Sequence, residues 1–152
     1  MSVILTEKRY SRIIIMQIRH DKNPLPPGLS PGRGQDMIVT DIETTGLSKD
    51  NTILYMIGCC YTDNQQLCTV QWFNDDGVSE REILMSFHAF LSDKKGEILT
   101  FNGDRFDLPY LSHHSDFHKV ESDLDSHRSI DLYRILKPYQ SALGLKKGRQ
   151  KD

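Results

Sequence analysis

The residues with the clearest capacity for chemistry are the acids of two short segments. In Thr40-Asp41-Ile42-Glu43-Thr44-Thr45-Gly46-Leu47 two carboxylates stand two positions apart. Side chains alternate along extended backbone, so Asp41 and Glu43 project from one face. Two carboxylates side by side repel, and one takes up a proton unless a cation lies between them. That pattern suits a hard divalent ion held by oxygen ligands. The Thr44-Thr45-Gly46 turn that follows has small hydroxyl residues and a glycine, which let a substrate backbone come close.

The second segment runs from Thr100 to Leu111, with the turn signal Asn102-Gly103 ahead of Asp107. Asp107 falls at the expected start of a helix, where an acid is favoured by the helix dipole as well as by any chemistry. Strand ends that neighbour one another would bring all three acids to one edge of a sheet, the edge where open α/β sheets bind ligands. His113, His114, His118 and His127 follow Asp107. Without an H-E-x-x-H pattern or a fourth ligand, they read as exposed helix-end and loop histidines. Cys59, Cys60 and Cys68 lack zinc spacing and read as small apolar strand residues in a reducing compartment.

The elements that must position these acids follow from the apolar pattern. Met37-Ile38-Val39-Thr40 is a short β-prone run leading into the first acid pair. Ile53 to Tyr61 and Leu67 to Phe73, joined by the turn residues Thr62-Asp63-Asn64-Gln65, read as a β-hairpin. Ser79 and Glu82 have capping-box spacing ahead of a helix that turns Ile83, Leu84, Phe87, Phe90 and Leu91 to one face and leaves Glu80, Arg81, Ser86 and Lys94 to solvent. Lys94-Lys95-Gly96 closes that helix. Ile98 to Phe101 is a further strand, and a short helix starts near Phe106. Residues 115 to 128 look polar and turn-like, and Ser129 to Leu136 is a strand end running into a helix that breaks at Pro138. The order predicts an α/β domain with a mixed sheet covered by helices.

Residues 23 to 34 hold four of the six prolines and three glycines, a linker composition. Arg12 to Arg19 before it looks like an isolated strand. Two units are therefore expected, an N-terminal segment with linker over 1–35 and the main domain over 36–152. The 152 residues suffice for one hydrophobic core, and no apolar run is long enough to span a membrane. With no export signal legible, a cytoplasmic protein is expected. The net charge of −2 is unevenly spread: residues 1–35 carry six Lys/Arg against two acids, residues 137–152 five against one, and the centre is acidic. An acidic centre needs cations to meet a polyanion, while basic ends could touch phosphates.

The segment Asp41 to Leu47 (DIETTGL) resembles the first motif of the DEDD exonuclease superfamily, and Asn102 to Leu111 (NGDRFDLPYL) resembles the second. The wider order, with ILYMIGC, QWF and SIDLYRILKPY, is similar to the YprB-type ribonuclease H-like domain of predicted bacterial 3′-5′ exonucleases, over about residues 37 to 151. The resemblance implies a ribonuclease H-like mixed sheet with flanking helices. It implies Asp41 and Glu43 as ligands of a two-metal Mg²⁺ or Mn²⁺ site, Asp107 as the second-motif acid, and Thr44, Thr45, Gly46 and Asn102 as contacts to the 3′ end of DNA or RNA.

The family's third motif, a Tyr or His with a fourth acid, has no match. Asp131 lies in the stretch resembling the family's linker helix, and the chain ends at Asp152, where the next helix would start. The expectation is thus a fold lacking its C-terminal part and an impaired exonuclease. The rival is a catalytically incomplete domain that binds nucleic acid or a protein partner. A transposase or resolvase of the same fold fits less well with DIETTGL and NGDRFD together. Nothing in the sequence specifies an oligomeric state.

Overall fold

The computed structural model describes residues 3–4, 16–26, 37–142 and 144. Among the described residues the order is β1 (Val3–Ile4), β2 (Met16–Pro24), β3 (Met37–Thr44), β4 (Leu54–Asp63), β5 (Gln66–Asn74), α1 (Glu80–Lys94), β6 (Glu97–Thr100), α2 (Asp107–His118), β7 (Ser129–Asp131) and α3 (Leu132–Leu136). The strands make one sheet in the order β1-β2-β5-β4-β3-β6-β7. The pairs from β1 to β3 are antiparallel, and β6 joins β3, and β7 joins β6, in parallel. This is the expected ribonuclease H-like mixed sheet with flanking helices.

The β4–β5 hairpin turns at Asn64 and Gln65, both with positive φ, the geometry that a two-residue hairpin loop demands. Inward residues of β3 and β5 alternate with outward ones, as do those of β4 from Ile57 on, after an irregularity opposite Glu43 and Thr44, and Ile38, Ile42, Leu54, Ile57, Val70 and Trp72 form the sheet side of the core. From α1 come Ile83, Leu84, Phe87 and Leu91, with Phe90 packed at the margin and meeting Trp72 edge-on. The predicted face is thus the buried one. Both α1 and α2 stop at a lysine in the left-handed conformation, Lys95 and Lys119, whose N–H turns back to the last helical carbonyls.

Five expectations need correction. The strand before the linker is not isolated: β2 pairs with β5 from Met16↔Asn74 to Pro24↔Gln66, because β5 otherwise presents an open edge. The linker expected over 23–34 therefore starts later, since Asn23 and Pro24 still pair in β2, and residues 27–36 lie outside the described residues, as do 5–15 and 145–152 with most of the terminal basic residues. Ser79 does not form the capping box; its hydroxyl donates to Asp76 Oδ2 at 2.7 Å. Glu80, expected in solvent, is buried, and Ser86 and Lys94 are half-buried, leaving Arg81 exposed as expected. Residues 115–118 are not turn but the last turn of α2, where Ser115 is fully buried against His88 at 2.8 Å.

Candidate active site

The acids gather where β3, β6 and β7 end. β3 continues past Thr40 through Glu43, so Asp41 and Glu43 lie within the strand, both exposed, with Ile42 between them buried. Parallel pairing then fixes what stands beside them. β6 runs next to β3 and ends at Thr100, and the chain turns through Asn102 and Gly103 into α2, whose first residue is Asp107.

Asn102 takes a positive φ of 64°, and a Cβ on Gly103 would lie 2.4 Å from Thr100 Cβ. Only a residue without Cβ lets the turn close this tightly on β6. The result is an open cavity of about 490 Å³ lined by Asp41, Glu43, Asp107, Thr44, Gly46, Leu47, Asn102 and Arg105, among others. Leu47, 87% exposed, and Phe101, 61% exposed, stand on its rim as large apolar groups facing water.

The electrostatics are those of crowded like charges. Asp107 is 5% exposed, and burial, followed by the negative charges of Asp41 and Asp131, pushes its carboxyl up to about 7. Burial and then the Glu43 charge raise Asp41 as well. Tyr55 holds Glu43 Oε2 from the side at 3.4 Å.

Asp131 was not assigned to the site from its sequence. It ends β7 opposite Thr100, where its Oδ1 accepts from Asn102 N at 2.7 Å and from Tyr133 N at 2.9 Å, so one oxygen holds both the Asn102 turn and the start of α3. Its Oδ2 is buried without a hydrogen-bond partner. The available signal was the position of Asp131 at the end of a short β-prone run, the same placement as Asp41; reading the segment as a linker helix hid it.

Of the turn residues, Thr44 and Gly46 line the cavity and Thr45 does not. Thr44 Oγ1 donates to Gly46 O at 2.7 Å, and Thr45 closes the loop by exchanging bonds with Ile53, N to O at 3.0 Å and Ile53 N to Oγ1 at 2.9 Å. The histidines are also placed differently from expectation. His114 is buried, its Nε2 bonded to Lys49 O at 2.8 Å, and His118 is half-buried. The three cysteines are free, and burial pushes the Cys59 thiol up to about 12, which leaves it an inert core group.

Crowded carboxylates are a donor type that suits a hard divalent cation. The fold and this acidic strand edge define an α/β domain of ribonuclease H type. The RNase_H superfamily model matches residues 38–148, and the chain belongs to that superfamily.

No curated protein matches the chain. Among solved structures, a family B DNA polymerase from the hyperthermophilic archaeon Pyrobaculum calidifontis shares the fold with a TM-score of 0.58 and 18% identity, over 70% of this chain and 16% of the polymerase. The metal-free form of the E. coli ExoI–ssDNA complex gives a TM-score of 0.48 and 16% identity, over 72% of this chain and 30% of that one. The chain therefore spans less than a third of either protein. No helix among the described residues is long and apolar enough to cross a membrane.

Proposed function

We propose that the domain is a metal-dependent 3′-5′ exonuclease, of the YprB type, that hydrolyses phosphodiester bonds of nucleic acid. The observation that carries this reading is the convergence of Asp41, Glu43 and Asp107 on one open cavity, with Asp107 pushed up to about 7 by burial and then by its acidic neighbours. Superfamily membership supports it, as does a fold shared with one part of a DNA polymerase.

Asp41 and Glu43 would hold Mg²⁺ or Mn²⁺ together with Asp107. A divalent ion bound there supplies compensation for phosphate charge and makes water a better nucleophile. Asp107, whose proton is favoured by burial and then by its acidic neighbours, would have to give up that proton to serve as a ligand. Asp131 acts from behind, fixing Asn102 through its backbone N–H so that the turn keeps its shape beside the acids.

Thr44, Gly46 and Asn102 line the wall against which a terminal nucleotide rests. Arg105, exposed and on the same cavity, meets a phosphate, and Leu47 and Phe101 offer apolar surface to bases. The direction of attack, from the 3′ end, rests on the resemblance of the DIETTGL and NGDRFDLPYL segments.

The test is digestion of single-stranded DNA and RNA oligonucleotides labelled at either end, with Mn²⁺. The reading expects mononucleotides released from the 3′ end and their loss in Asp41→Asn. Cleavage that survives Asp41→Asn and Asp107→Asn together would refute it, and nucleic-acid binding without cleavage by the wild type would favour a binding domain.

A further inference from the structure

Beside the carboxylate cavity the fold assembles a second polar cluster of different chemistry. Glu80 begins α1, and His114 and His118 lie one helical turn apart on α2. One ligand atom from each comes within 4.8 Å of the other two. Glu80 and His114 are buried and His118 is half-buried, so the cluster is enclosed on two sides and reaches water past His118.

The bonding of His114 is the decisive feature. Its Nε2 faces Lys49 O at 2.8 Å, and a carbonyl can only accept, so Nε2 carries the hydrogen. In its neutral form the ring would then present the lone pair of Nδ1, and that atom lies in direct contact with Glu80 Oε1. Nδ1 is buried without a hydrogen-bond partner, since the contact does not have hydrogen-bond geometry. A ring nitrogen set against a carboxylate is satisfied by a shared cation, either a proton on Nδ1 or a metal ion bound by both.

His118 Nε2 stands 3.4 Å from the other oxygen, Glu80 Oε2. Ligands about 2.0–2.1 Å from a tetrahedral ion are separated by about 3.3 Å, so small side-chain movements suffice. An imidazole whose second nitrogen donates to a backbone carbonyl is also the usual arrangement of a metal-bound histidine, because that bond fixes the ring and its tautomer.

We propose that Glu80, His114 and His118 form a metal site for Zn²⁺ or a similar borderline transition ion, with its fourth position open to solvent beside His118. Two imidazoles and one carboxylate select such ions over Mg²⁺ or Mn²⁺, which suit the all-oxygen cavity. The site joins the start of α1 to the end of α2. Through Lys49 it also holds the loop between β3 and β4, which His113 meets at Asp50 (3.3 Å) and Tyr110 at Thr52 (2.9 Å). That loop includes Gly46 and Leu47 of the cavity, so the ion would brace one wall of the carboxylate site without entering it.

The test is Co²⁺ and Zn²⁺ binding to the chelator-treated protein, read by the visible absorption of bound Co²⁺ and by thermal unfolding with and without Zn²⁺. One equivalent should bind with the intense spectrum of a four-coordinate N/O site and no thiolate charge-transfer band, apart from any weakly absorbing Co²⁺ at the carboxylates, and Zn²⁺ should raise the unfolding temperature. His118→Ala, which alters only a half-buried helix-end residue, and Glu80→Gln should each weaken binding by more than about 100-fold, beyond the 10–100-fold cost of losing an outer partner. Asp41→Asn should bind as the wild type does. No binding by the wild type, a thiolate band, binding abolished by alkylating the cysteines, or binding indifferent to His118→Ala would each overturn the site.

Discussion

The carboxylate cavity and the Glu80-His114-His118 cluster flank the same loop, between β3 and β4, yet they are built on opposite principles. In the cavity, Asp41 and Glu43 of β3 meet Asp107 at the start of α2 near open water, and burial followed by repulsion among acids raises Asp107. In the cluster, one acid faces two imidazoles under the loop, and the ring whose Nδ1 lacks a partner is held by a backbone carbonyl. Like charges brought together create a demand for cations that a substrate-bearing ion can meet and leave, whereas a mixed nitrogen and oxygen set in an enclosed place favours an ion that stays. Parallel strands that end together produce the first; two helices packed end against end produce the second.

The largest effect expected from breaking the cavity side is on rate. Asp41→Asn or Asp107→Asn should each lower Mn²⁺-dependent release of mononucleotides by about 10²–10⁴, the range for loss of a positioned catalytic group. Single-turnover digestion of a 3′-labelled oligonucleotide measures it. A loss of less than tenfold in both would mean the acids do not act as a site.

Next in size is the turn that places Asn102. Gly103→Ala drives a methyl into Thr100 and should destabilise the fold by about 1–3 kcal/mol, the usual cost of overpacking. Denaturant unfolding measures it, and an unchanged midpoint would show that the turn relaxes freely.

A third prediction uses pH. Asp107 holds its proton up to about 7 in the folded chain, while the ordinary value is 3.8. The folded state therefore binds a proton that the unfolded state has released between those values. Its contribution to stability is complete below about 3.8 and is lost as pH rises through about 7. In chelator, wild type should lose unfolding temperature from pH 5 to pH 8 relative to Asp107→Asn, and Mg²⁺ should recover part of the difference at pH 8. Parallel curves for the two proteins would show that neither burial nor acidic neighbours raise Asp107.

The smallest effect belongs to the rim. Arg105→Ala should weaken oligonucleotide binding a few-fold and reduce the salt slope of log K by about one, as expected for one phosphate contact. Binding measured in Ca²⁺ over a range of salt would show it; an unaltered slope would remove Arg105 from the substrate path.

How much could be read before folding differs between the two regions for the same reason that their chemistry differs. Asp41 and Glu43 share a face because of strand alternation, and that is local. The hairpin turn at Asn64 and Gln65, the buried face of α1 and the Asn102-Gly103 turn before Asp107 were legible in the same way, from spacings of two, three or four residues and from turn composition. The edge on which three acids would meet could be inferred because strand ends collect at one side of such a sheet.

Pairings between distant segments were decided by tertiary structure. Glu80 looks like an exposed first-turn acid, and it is buried because Leu54 N at 3.2 Å and two histidines some 34 to 38 positions onward surround it. Ser115 and His88 satisfy each other across 27 positions, so a polar stretch that reads as turn continues as helix. Asp131 enters the acidic edge only because β7 lies parallel to β6, and β2 joins the sheet only because β5 leaves an edge to be filled. Periodicity along a chain records which side of an element meets the core, since that is set by backbone geometry within a few residues. Which polar group meets which is settled when separate elements dock, because only then does burial remove water and require each donor, acceptor and charge to find another partner.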